Sequence, residues 1–155
     1  MECFLYFTAS MLDILAKLTR EFYPKNRAAI SARYFTKIIS FFTEIDRALD
    51  REFTEILDRN KDWILEVYDN RHTLAHSASS FVAFGNDGQV EFEKRKPTNV
   101  ALFRVKEFQN LSQYLRETLA NIYEFLDEYV ERFRKVVPES EVTRALIKKD
   151  DLPET

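Results

Sequence analysis

The chain has 155 residues, 45% of them apolar, with 14 Phe, 7 Tyr and a formal charge of −3. That length fits one domain, with enough apolar material for a core that needs no disulfide or metal staple. Only 2 Gly and 4 Pro occur, where average usage would bring about eleven glycines. Sandwiches, propellers and Gly-loop nucleotide folds are therefore excluded in favour of helices.

The lone cysteine, Cys3, can neither pair within the chain nor build a cysteine cluster for zinc. The apolar start carries Glu2 in place of a positive n-region, and no small-residue cleavage site follows, so no signal peptide is expected. The uncharged apolar stretch at the start, Cys3 to Leu12, falls far short of the ~20 residues that span a bilayer. A cytoplasmic protein without a membrane partner is the expectation. The slight negative charge argues against broad nucleic-acid coating, and nothing marks a DNA specificity.

Phe4, Phe7, Met11, Leu15, Leu18 and Phe22 recur every three or four residues and predict a first helix from about Phe4 to Tyr23, ended by Pro24. Tyr34, Ile38, Phe41, Phe42, Ile45, Leu49, Phe53 and Ile56 predict a second, from about Ile30 to Arg59, with Ser31 as its N-cap. Asn60 then reads as an end signal or as the cap of a third helix. That helix carries Trp63, Ile64, Val67, Tyr68 and Leu74 to about His76, before Ser77 to Ser80 dissolve the pattern.

Next, Phe81 to Phe84 and Gln89 to Glu93 flank Gly85-Asn86-Asp87-Gly88 and predict a β-hairpin. A hairpin alone is marginal in water, so it must pack on the helices. From about Val105, an apolar stripe through Leu111, Leu115, Leu119, Ile122, Leu126, Tyr129 and Phe133 predicts a long last helix, stopped by Pro138. The expected fold is all-α: an up-and-down bundle of four main helices with a small β-hairpin inserted after the third. The domain spans 1–137, with the hairpin at about 81–95. Residues 138–155 form a charged tail, with room for a short helix around Glu141 to Lys148. The aromatics Tyr34, Phe41, Phe53, Trp63, Phe108, Tyr123 and Phe125 sit at helical spacings and are assigned to the core.

Both histidines of the chain fall in Arg71-His72-Thr73-Leu74-Ala75-His76. His72 and His76 lie about 40° apart on a helix and could meet one ion, with Asp69 as a third ligand. The zinc-protease pattern requires Glu where Thr73 stands, so no metal or other cofactor is assigned. An Arg and two His at a helix end can also simply cap carbonyls and favour the negative end of the dipole.

An Arg, a polar residue and a His closing the motif, late in the third helix of an all-α domain, resembles the HEPN superfamily. Arg71 matches the family Arg, His72 the polar position and His76 the family His, and the resemblance covers roughly residues 4–136. It implies an HEPN-like bundle and metal-independent RNA cleavage, with Arg71, His76 and His72 as catalytic residues. It also implies a homodimer whose composite site draws on both subunits' motifs, in a toxin or phage-defence setting with an antitoxin partner. A toxin subgroup carries Tyr two residues after the final His, whereas this chain has Ala78. The alternative is a non-catalytic HEPN-like binding or dimerisation module, part of a longer protein.

The chemistry of the motif is sound in principle. An imidazole that titrates near neutral pH can take a proton from a ribose 2′-hydroxyl or give one to the leaving 5′-oxygen. Arg steadies the charge on phosphorus without losing its own. Residues 94–106 carry five bases and no acid, so Lys94, Arg95, Lys96, Arg104 and Lys106 are the expected RNA-binding residues. The same bases on a hairpin edge would also discourage stray strand pairing. Residues 44–69, by contrast, hold nine acids against four bases.

Overall fold

Leu5, Ala9, Leu12, Leu15, Ala16 and Thr19 are buried along one stripe of a first helix, α1, which spans Glu2–Phe22. The computed structural model describes residues 1–76, 82–85, 88–95 and 106–136. A single turn of 3₁₀ helix at Pro24–Asn26 ends α1, and the chain then runs back to the start of α2, Phe35–Ser40. A π-turn at Phe41–Ile45 continues α2, closed by the Asp46 N–H on the Phe41 carbonyl at 2.8 Å. Ile38, Ile39, Phe41, Phe42 and Thr43 are all buried across this α2 and π-turn segment.

α3 spans Arg51–His76, followed by β1 (Val82–Phe84), β2 (Val90–Arg95), β3 (Lys106–Asn110) and α4 (Leu111–Val136). The molecule is thus the expected all-α bundle of four helices with a small sheet after the third. Tyr68 of α3 reaches Ala9 and Asp13, and Asn60 of α3 reaches Glu128, so α3 runs antiparallel to both α1 and α4. Phe22 stacks on Phe133 at 4.2 Å, and Thr19 bonds the Tyr129 hydroxyl at 2.9 Å, which sets α4 alongside α1 and parallel to it. The core lies between them, around Phe35, Phe42, Phe53 and Phe125.

Four local expectations need correction. Ser31 caps nothing: α2 starts at Phe35, whose N–H is met by Asp13 and by the Tyr68 hydroxyl, each at 3.3 Å. The second helix does not run through to Arg59, because the chain breaks at Asp46 and restarts under Asp50. The Asp50 carboxylate accepts from the Phe53 N–H at 2.9 Å, as an N-cap does. Asn60 interrupts nothing, since its amide donates to the Ile56 carbonyl at 2.9 Å and its oxygen accepts from the Trp63 indole at 2.8 Å. With both ends satisfied, the helix continues through it.

The fourth concerns the sheet, which has three strands in the order β1-β2-β3, all antiparallel. Lys106–Asn110, expected as helix, is the third strand, and Asn110 caps α4 through the Gln113 N–H at 3.0 Å. Gly88 takes φ +76 between β1 and β2, a conformation that glycine reaches without strain. The sheet packs on α3 and α4. Among the described residues no helix is long and apolar enough to cross a membrane. The Ser77 to Ser80 stretch, the Asn86-Asp87 pair and the tail 138–155 lie outside the described residues.

Candidate functional site

The last turns of α3 carry Arg71, His72 and, as its final residue, His76. Arg71 faces α1. Its guanidinium carbon lies 5.2 Å over the Tyr6 ring centroid, and its terminal nitrogen is 3.9 Å from Asp13 Oδ2. The second oxygen of Asp13 accepts from the Tyr68 hydroxyl and the Phe35 N–H. One carboxylate therefore ties α1, α2 and α3 together beneath the arginine. Burial, with the Asp13 charge adding to it, pushes the Tyr68 hydroxyl far above its usual range, so it stays a donor.

Tyr6, Tyr34, Thr36, Tyr68, Asp69, Arg71 and His72 line an open cavity of about 440 Å³ between α1, α3 and the start of α2. Tyr34 is 38% exposed and carries the Arg33 guanidinium 5.1 Å over its ring. Desolvation raises the Asp69 carboxyl above the ordinary carboxylate value, and the His72 charge works against that rise. The cavity thus combines two phenol rings, each stacked with a guanidinium, one raised carboxyl and one imidazole. Such a set can hold a flat anionic ligand.

The structure brings Arg71 and His72 to this one cavity. His76 follows Arg71 on the same helix by five residues, about 7.5 Å along the axis and about 140° around it. Lys94 and Arg95 end β2, opposite Glu107 and Lys106 of β3 respectively. β3 leads from Lys106 into α4, so this basic end lies about 13 Å from the start of α4. Lys96 and Arg104 lie outside the described residues.

Sequence reasoning missed Tyr6, Asp13 and Tyr34. Tyr34 was assigned to the core by spacing, as was Tyr123, which is 64% exposed. The available signal for Asp13 was its place as the one acid in the middle of a helix otherwise free of acids between Glu2 and Glu21. Comparison with family models, curated proteins and solved structures returned no match.

Proposed function

We propose that this chain is a metal-independent endoribonuclease of the HEPN type, with Arg71, His72 and His76 as its catalytic residues. The observation that carries the reading is the shared cavity: Arg71 and His72 line it together, on the helix that closes with His76. In this reading His76 takes the proton from a ribose 2′-hydroxyl, and the freed oxygen attacks the adjacent phosphorus. Arg71 offsets the charge that builds on the phosphoryl oxygens. The leaving 5′-oxygen collects a proton, which His72 or the second His76 of a dimer supplies. The products are a 2′,3′-cyclic phosphate and a 5′-hydroxyl end.

The basic residues Lys94, Arg95, Lys96, Arg104 and Lys106 are assigned to the RNA backbone, supported by the Arg95–Lys106 register. The protein acts as a cytoplasmic homodimer, in toxin or phage-defence chemistry with an antitoxin partner. Support for self-association comes from the apolar side chains Phe7, Ile14 and Leu18 of α1 and Leu119, Tyr123 and Val130 of α4, all of them exposed. They sit on the flanks of these neighbouring helices that turn away from α3. Together they offer on the order of 600 Å² per chain, near the upper end of what a monomer exposes.

A second reading, a non-catalytic HEPN-like binding module, is favoured by the Arg71 contacts themselves. Stacking on Tyr6 and pairing with Asp13 give the arginine a structural occupation. Incubation with a panel of single-stranded RNAs in excess EDTA separates the two. The nuclease reading expects fragments with cyclic phosphate ends, and intact RNA across the panel leaves the module.

A further inference from the structure

The aromatic walls of the cavity have no part in the proposed proton transfer. Tyr34 keeps 38% of its surface in solvent while Phe35, beside it, is fully buried. Tyr6 and Tyr34 line the same cavity, and each carries a guanidinium over its ring, Arg71 and Arg33 respectively. Tyr68, the third phenol, is occupied by Asp13 and cannot turn outward. The oxygens of Asp13 are spoken for by Tyr68, Phe35 and Arg71. That leaves Asp69 as the carboxylate presented to a ligand from this wall.

We infer that the cavity is a nucleotide subsite for single-stranded RNA, in which Tyr6 and Tyr34 stack one base and Asp69 reads its edge. Size agrees: a volume of about 440 Å³ lies within the range of small-molecule pockets and has room for one nucleotide. Stacking on phenol and guanidinium planes is the usual way in which proteins hold an unpaired base. The Arg71 guanidinium, 5.2 Å over the Tyr6 ring, adds positive charge to the same cavity wall for the nucleotide's phosphate. Asp69 adds selectivity. A carboxylate accepts the adjacent N–H donors of guanine well, whereas uracil turns carbonyl oxygens toward it on both sides of its single N–H. The subsite therefore prefers guanine to uracil. The choice of RNA over DNA rests on the proposed ribonuclease activity, while the stacking and edge contacts stand without it.

The test uses the full chain and labelled hexanucleotides with 2′-O-methyl riboses, which cannot be cut by 2′-hydroxyl attack, so binding is read apart from cleavage. Fluorescence anisotropy should show a hexamer containing guanine bound about five- to a hundred-fold more tightly than hexauridylate. Tyr34→Ala should weaken the guanine hexamer by about five- to a hundred-fold, while Tyr34→Phe keeps wild-type affinity because only the ring face is used. Asp69→Asn should remove most of the guanine preference. Tyr34 is an exposed position, and circular dichroism checks that each variant folds. A folded Tyr34→Ala protein that binds as tightly as wild type, or equal affinity of wild type for both hexamers, overturns the subsite. Cleavage of unmodified RNA is then scored separately. Selective binding without cleavage keeps the subsite and removes the nuclease, whereas cleavage without an effect of Tyr34→Ala does the reverse.

Discussion

Arg71 and Asp13 face each other at 3.9 Å across the α1–α3 contact, too far for a strong hydrogen bond and close enough for mutual charge compensation. The arginine is restrained but not consumed, since 31% of its side chain stays exposed beside the cavity. Asp13 works against any phosphate that approaches Arg71. Asp13→Asn keeps an oxygen for the Tyr68 hydroxyl and the Phe35 N–H while removing the charge. RNA affinity should rise about two- to five-fold, the size of a partly screened unit charge nearby. An unchanged or lower affinity in a folded variant would place the phosphate away from Arg71.

Far from the cavity, Arg132 grips the buried Asp50 carboxylate at 2.8 and 3.1 Å, and the same carboxylate takes the Tyr23 hydroxyl and caps α3. The Asp50 side chain is only 2% exposed, so removal of its partner strands a buried charge. Arg132→Ala should cost about 3–5 kcal/mol in urea unfolding. A loss below about 1 kcal/mol would mean that Tyr23 and the helix start suffice to hold the carboxylate.

Two buried tyrosines, Tyr114 and Tyr129, and two half-buried ones, Tyr23 and Tyr68, make the fold sensitive to alkali. Burial is the main cause that raises the hydroxyls of Tyr23, Tyr68, Tyr114 and Tyr129 above the usual tyrosine value near ten. In the unfolded chain they ionise more easily, so their contribution is complete below about pH 10 and is lost as pH rises toward the folded values. Each adds a slope of about 1.4 kcal/mol per pH unit in that window. Tyr68→Phe should be less stable than wild type at pH 8, because the Asp13 bond is gone, yet lose less stability between pH 10 and 11. Parallel stability curves for the two proteins would contradict this.

Much of the bundle could be read from spacing alone. The α1 stripe, the end of α3 at His76 and the Gly85/Gly88 turn all follow from local chemistry, which tertiary packing then reinforces. The failures share a cause. Phe108 continues the period of Leu111 and Leu115, so the β3–α4 junction hides inside an apparent helix, and the Asn110 cap was the one local sign of it. Asn60 and Asp50 exchange roles for the same reason: which polar residue caps depends on partners distant in sequence, Glu128 for one and Arg132 for the other. At the site, the motif marked Arg71 and His72, but the Tyr6 and Tyr34 walls come from α1 and the start of α2, and no spacing relates them.

Dimerisation has its own test. Phe7 is 73% and Tyr123 is 64% exposed, on the flanks of α1 and α4 that turn away from α3. A stable two-fold contact needs at least about 1,000 Å² in total. Sedimentation at tens of micromolar should show a dimer for wild type and a monomer for the Phe7→Glu, Tyr123→Glu double variant. A wild-type monomer at that concentration would remove the composite site. If the dimer holds, mixing Arg71→Ala with His76→Ala protein should restore part of the activity only where each site takes its Arg and His from different chains.

The proposed proton transfer is assigned to His76. Under single-turnover conditions in EDTA, with saturating unmodified single-stranded RNA, the wild-type protein should cut to cyclic phosphate ends. His76→Ala should slow that rate by about 10²- to 10⁴-fold while leaving RNA binding within a few-fold of wild type. A His76→Ala protein that cuts as fast as wild type, or a wild-type protein that binds RNA and leaves it whole, would contradict the assignment of His76 as the group that moves the proton.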